Sequence, residues 1–147
     1  MTNPQLDEVI ERCRALIQQR FPEQEAGAAA MLLSDGTILV GTAPEAINPA
    51  VEVCHETEPY CAAHRLEQKI VASICLYRDE AGAYLVLAPC GVCQERLATH
   101  GPDVLAAVPG SDSTPVRWVP LKALMPHYWA TAFDDAPLEW SSSVVTS

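Results

Sequence analysis

No run of apolar residues in this 147-residue chain approaches the roughly 20 needed to cross a bilayer; the longest, 28–33 and 84–89, are far shorter. Positive charge is also scarce. Nine Lys and Arg stand against 19 Asp and Glu, and the net charge of -10 opposes phosphate backbones and anionic lipid surfaces. The opening Thr2-Asn3-Pro4, with Asp7 and Glu8 behind it, lacks the basic start and apolar stretch of a secretory signal. Internal repeats are missing too, which argues against a solenoid. These absences point to a cytoplasmic protein with no nucleic-acid and no membrane partner.

What is present is a globular balance, 49% hydrophobic with 19% charged, expected as a single domain over residues 1–140 with a frayed serine-rich tail at 141–147. A chain of this size buries roughly 68–70% of its unfolded surface, so a metal or disulfide is not needed merely to stay folded. The six cysteines, Cys13, Cys54, Cys61, Cys75, Cys90 and Cys93, therefore read as core thiols, metal ligands or nucleophiles.

Leu6, Val9, Ile10, Cys13, Leu16 and Ile17 recur at helical spacing and predict a helix over about 4–20, capped near Asn3 and Pro4. Strands at 26–33 and 37–42 flank the turn Ser34-Asp35-Gly36 as a hairpin. After a proline-containing loop at 43–53, a helix is expected over about 54–68, with a distortion after Glu56 because Pro59 cannot continue it normally. Strands at 70–77 and 84–87 lead to a helix from Cys90 to His100 stopped by Gly101. Strands at 104–108 and 116–119 precede a last helix over about 121–133, interrupted by Pro126. This alternation predicts a three-layer α/β/α fold in which the last strands run parallel to their neighbours.

Cys90-Gly91-Val92-Cys93 puts two sulfurs on one side of a helix start, a spacing that suits one tetrahedral metal or, equally, a redox dithiol. Pro89 in front and Cys54-His55-Glu56 upstream extend it to C-x-E followed by P-C-x-x-C, a far more specific pattern. Three thiolates on zinc leave one position for water, as in a catalytic site. The metal lowers that water's pKa from about 15.7 toward about 7; thiolate charge weakens the effect and helix N-termini partly restore it. A carboxylate at a helix start is commonly just an exposed acid, but the offset of Glu56 from Cys54 suits general acid/base work.

With these motifs the sequence resembles the cytidine deaminase superfamily, and within it the small zinc enzymes acting on free nucleosides, including the blasticidin-S deaminase relatives. The resemblance begins at Ala26-Gly27-Ala28-Ala29, continues through the 34–36 turn and both cysteine motifs, and reaches Leu124-Met125-Pro126. It implies a mixed five-stranded sheet between helices, and homotetramers whose active sites borrow residues from neighbouring subunits. It also implies one zinc per chain on Cys54, Cys90 and Cys93, with Cys54 rather than His55 as the first ligand. In the implied reaction, activated water adds to the ring carbon bearing an amino group. Glu56 protonates the adjacent ring nitrogen and then the departing ammonia, leaving a uracil-type product. The Ala88 carbonyl would orient the amino group and Glu45 would bind the sugar.

Several positions depart from the family pattern. The family's Asn-x-Glu is here Ala43-Pro44-Glu45, and Gln24 stands where a base-stacking phenylalanine is usual, with Phe21 out of register. Thr57 follows the glutamate, and Gln94 replaces a frequent arginine for which Arg96 is a substitute. The deamination residues are intact while the sugar and base contacts differ, which admits a modified or bulkier cytosine nucleoside. Tyr128 and Trp129 either cover the pocket or belong to core or interface. His55 is expected beside the ligands; His64, His100 and His127 lack metal-binding spacing. Cys13, Cys61 and Cys75 read as buried packing thiols; Cys61 would lie about 10 Å along its helix from Cys54. Two other readings stay open: a non-catalytic zinc-binding assembly module and a redox dithiol protein.

Overall fold

Asn3 starts the fold by capping a helix. Its side-chain oxygen accepts the amides of Gln5 and Leu6, Pro4 stands at N1 where its missing amide proton goes unused, and α1 (Pro4–Arg20) follows. In the computed structural model, which describes residues 3–133 and Trp140, α1 buries Leu6, Val9, Cys13 and Ile17, the expected stripe. Next comes β1 (Ala26–Leu33), every residue of which is buried. Ala26, Ala28, Ala30 and Leu32 pack with the α1 stripe, whereas Met31 and Leu33 join a second core with Ala63, Leu97 and Ala98. A strand covered on both faces loses the apolar-polar alternation of a half-exposed one. Its small side chains also let the layers on either side approach closely.

The 34–36 turn closes as expected. Gly36 takes φ +90°, Asp35 Oδ1 accepts the Thr37 amide at 2.9 Å, and β2 (Ile38–Gly41) pairs antiparallel with β1. The remaining elements are α2 (Thr57–Arg65), β3 (Ile70–Arg78), β4 (Tyr84–Val86), α3 (Gly91–Ala98), β5 (Leu105–Pro109), β6 (Val116–Pro120) and α4 (Leu121–Leu124). Strand order is β2-β1-β3-β5-β6, with the short β4 also pairing with β3. The five-strand path of the resemblance is therefore present, and the sixth strand is the one read at 84–87. With α1 on one face and α2 and α3 on the other, the arrangement is the three-layer mixed α/β fold.

Four local expectations are corrected. β5 is parallel to β3, but β6 is antiparallel to β5, because the six residues between them allow a hairpin and not a crossover. Regular α2 begins at Thr57 rather than near 54, so the helix start is delayed past Glu56 and Pro59 falls in its first turn, where no amide donor is required. The last helix shortens to α4 and a separate 3-10 turn, Trp129–Ala132, with Pro126 between them. Cys13 and Cys75 are buried, but Cys61 is exposed, because α2 turns Pro59 and Ala63 inward and position 61 away. The tail expected at 141–147 lies outside the described residues.

His100 joins α3 to the sheet. Its Nδ1 accepts the Ile70 amide at 3.0 Å, and burial, helped by the nearby Lys69 charge, moves its pKa below the ordinary histidine value. The folded state thus binds a proton at His100 less readily than the unfolded chain does. Stability is expected to fall as pH drops through about 6.5, the unfolded value. Denaturant midpoints measured against pH check this; His100→Asn, which can still present an acceptor, should flatten that part of the slope.

Candidate active site

Two segments brought together beside β1 and β3 supply the sulfur cluster. Cys54 lies two residues before Glu56, the N-cap of α2; Cys90 is the N-cap of α3, and Cys93 stands in its first turn. The three Sγ atoms lie within 4.8 Å of one another, with Cys54 and Cys90 3.5 Å apart. Tetrahedral zinc with bonds of about 2.3 Å holds its sulfurs about 3.8 Å apart, so the donor set fits a single ion of that kind. Cys93 is buried and Cys90 exposed, which leaves the cluster open to solvent on one side.

The helix start separates the three thiols electrostatically. At Cys90, burial opposes ionisation, but the Cys93 and Val92 amides and the Cys54 thiol outweigh it and move the pKa below the ordinary value. Cys54 and Cys93 shift upward, chiefly through burial, and the Glu56 charge adds to both shifts. Glu56 itself is 7% exposed and makes no side-chain capping bond, so its carboxylate is not engaged in closing the helix, and its charge acts on Cys54 and Cys93. Arg96 reaches Thr57 Oγ1 at 2.9 Å and covers the Tyr60 ring, tying α3 to the first turn of α2. Gln94 Nε2 donates to the Pro89 carbonyl at 2.7 Å and steadies the approach to Cys90.

A cleft of about 820 Å³ has walls that include Phe21, Gln24, Gly27, Ala43, Glu45 and His55; Cys54, Glu56, Cys90 and Cys93 are not part of its lining, and Val53 and His55 connect it to the segment that carries Cys54. Glu45 and both candidate base-contact residues therefore share one cavity with His55, the residue between Cys54 and Glu56. Phe21 lines it despite being out of register. Ala88 is exposed in the segment just before Cys90 and is not part of the cleft lining. Tyr128 and Trp129 do not cover the cleft: both donate to Glu95 on α3, and Tyr128 is buried against Trp140. His64 and His127 are exposed.

Two contributors escaped sequence reasoning. Arg78, only 8% exposed, donates to the carbonyls of Phe21 and Gln24 and holds the turn that forms one cleft wall. Its signal was available: an arginine on the face of β3 shared with Ile74 and Leu76 must find acceptors if it is buried. Thr42 donates its hydroxyl to the Gly27 carbonyl at 2.9 Å and its amide to Glu58 at 3.2 Å, fixing the end of β2. No local pattern marks that threonine.

The fold and site define a class: an α/β/α protein with a three-cysteine centre and a buried carboxylate at two adjoining helix starts. No family model matches the chain. A cytidine deaminase of Mycobacterium tuberculosis (strain H37Rv) is 33% identical over 115 residues, 78% of this chain and 78% of that protein. The crystal structure of the cytidine deaminase from Bacillus anthracis superposes with a TM-score of 0.84 at 38% identity, covering 97% of this chain and 99% of that one. For the cytidine deaminase from Mycobacterium tuberculosis the TM-score is 0.61 at 25% identity, over 82% and 96% of the two chains. The chain belongs to the cytidine deaminase family.

Purified protein is expected to carry about one metal ion per chain, as a single tetrahedral site requires. Elemental analysis checks this. Cys90→Ser and Cys93→Ser should each strip most of the metal, whereas Cys61→Ser should leave it bound.

Proposed function

We propose that the chain is a zinc-dependent aminohydrolase that converts a cytosine-containing nucleoside to its uracil form with release of ammonia. Cytidine, deoxycytidine and a modified nucleoside such as blasticidin S are the candidate substrates. The observation that carries this reading is the convergence of three thiols within 4.8 Å of one another, with the buried Glu56 two residues from Cys54, in a chain of the cytidine deaminase family. Zinc held by Cys54, Cys90 and Cys93 would supply Lewis acidity that activates water at neutral pH.

The chain's own residues do the rest. Glu56 accepts a proton from the water that adds to the ring carbon and returns it to the ring nitrogen. It then takes the proton of the hydroxyl now on that carbon and delivers it to the amine, which leaves as the C–N bond breaks and the carbonyl forms; burial of Glu56 keeps bulk water from competing. The amides at the start of α3 stabilise negative charge on Cys90. Glu45 accepts hydrogen bonds from sugar hydroxyls and Phe21 offers a ring face to the base, both from the cleft wall, while the Ala88 carbonyl, outside that wall and two residues before Cys90, accepts from the amino group. Glu25, Glu45 and Glu52 line the cleft against a single Arg20, which favours uncharged nucleosides over phosphorylated ones. The same charge balance speaks against single-stranded nucleic acid.

Exposed Ile47, Val51 and Val53 on the cleft loop and Val92 beside the cluster support a homotetramer in which neighbouring copies cover these sites. A cytoplasmic setting and one domain over 1–140 complete the proposal. Among the described residues no helix is long and apolar enough to cross a membrane.

Ammonia release from cytidine, deoxycytidine, blasticidin S and cytosine tests the reading. Turnover is expected on at least one nucleoside, and Glu56→Gln should lower it by about 10²–10⁴-fold with zinc content unchanged. Zinc-loaded protein inactive on the whole panel would favour the non-catalytic assembly module. A reversible Cys90–Cys93 disulfide with little metal would favour the redox protein.

A further inference from the structure

We propose that His55 is a positioning residue for the cleft: its imidazole holds the Ala43 amide and so sets where Glu45 stands relative to the Cys54, Cys90 and Cys93 cluster. His55 Nδ1 lies 3.1 Å from the Ala43 amide nitrogen, which donates to it, and 3.3 Å from Thr42 Oγ1. The Thr42 hydroxyl has one proton, given to the Gly27 carbonyl at 2.9 Å. The Ala43 amide can only donate, so its contact makes Nδ1 an acceptor and puts the imidazole proton on Nε2, and the Thr42 hydroxyl, its proton given away, does not compete for Nδ1.

The ring is backed by the sheet. A Cβ built at Gly27 would lie 2.5 Å from His55 Nε2 and 2.9 Å from Cδ2, so glycine is what admits the imidazole against β1. One side chain thus touches β1, the loop leading to Glu45 and, through its own backbone, the segment running from Cys54 to Glu56. Beyond Ala43, the loop's next side-chain bond is internal, from the Ala46 amide to Glu52 at 3.3 Å. The Ala43 amide is accordingly the point where the residues leading to Glu45 are fastened to the metal-bearing segment. Position 43 contributes only its backbone, which accounts for an alanine being acceptable there.

The kinetic part of the proposal rests on the deaminase reading, but the structural part does not. Three variants separate hydrogen bonding from packing: His55→Phe keeps the ring without the acceptor, His55→Ala loses both, and His55→Asn keeps an acceptor near the Nδ1 position. On whichever panel nucleoside the wild type turns over, His55→Phe and His55→Ala should raise KM about tenfold while kcat changes less than about threefold. His55→Asn should stay within about threefold of wild type in both. Amide hydrogen exchange, read at Ala43 by NMR on metal-loaded protein, should accelerate about tenfold in the Phe and Ala variants and stay slow in Asn. Unchanged KM and unchanged Ala43 exchange in His55→Phe would overturn the proposal. So would a kcat loss in place of the KM rise, or an Asn variant as impaired as Phe. A wild-type protein inactive on every nucleoside would defeat the deaminase reading alone, and the exchange measurement would still decide the role of His55.

Discussion

Cys90 stands at the N-cap of α3, where the unpaired amides of the first turn favour negative charge, and most of the chemistry available to this fold depends on that placement. It offers negative charge a favourable position at the surface while Cys93, a turn further in, is buried and resists ionisation. A second segment, ending in Glu56, then has to arrive at the same point. The sheet arranges this. β1 lies between α1 and the α2/α3 layer with side chains small enough for both to close on it, and Arg96 links α3 to the first turn of α2. The carboxylate and the thiols meet because two helices that are distant in sequence start side by side.

Much of this was legible in the order of residues, for identifiable reasons. Asn3-Pro4, Ser34-Asp35-Gly36 and Gly101 punctuate the chain by local backbone preference, and the structure uses each as such. The stripe from Leu6 to Ile17 is a one-sided burial pattern that periodicity can read. The cysteine motifs were legible because metal chemistry constrains spacing within a helix turn, where sequence distance and spatial distance agree.

What escaped reading depended on contacts across long sequence distances. The antiparallel direction of β6 followed from a short connection that propensity does not describe. Arg78 serves backbone carbonyls 54 and 57 residues away, and Phe21 enters the cleft because that arginine bends its turn, not because its register matches any pattern. Thr42 and His55 became interpretable only once Gly27 was seen beneath them. The cleft is thus assembled from ordinary residues whose significance comes from their neighbours.

One edge of β3 is divided between two partners. β4 runs antiparallel along Leu76–Arg78, while β5 runs parallel beside Ala72 and Ser73. A slip of β3 along this edge would have to break the pairing with both partners at once, so the shared edge resists sliding more than an edge with a single partner. The segment that leaves β4 for Cys90 crosses near this fork, with the Leu87 amide bonded to the Cys75 carbonyl at 3.0 Å. The fork consequently acts as a ruler. It ties the chain position at which the Cys90 and Cys93 pair leaves the sheet to the register of β3, three residues before Cys90.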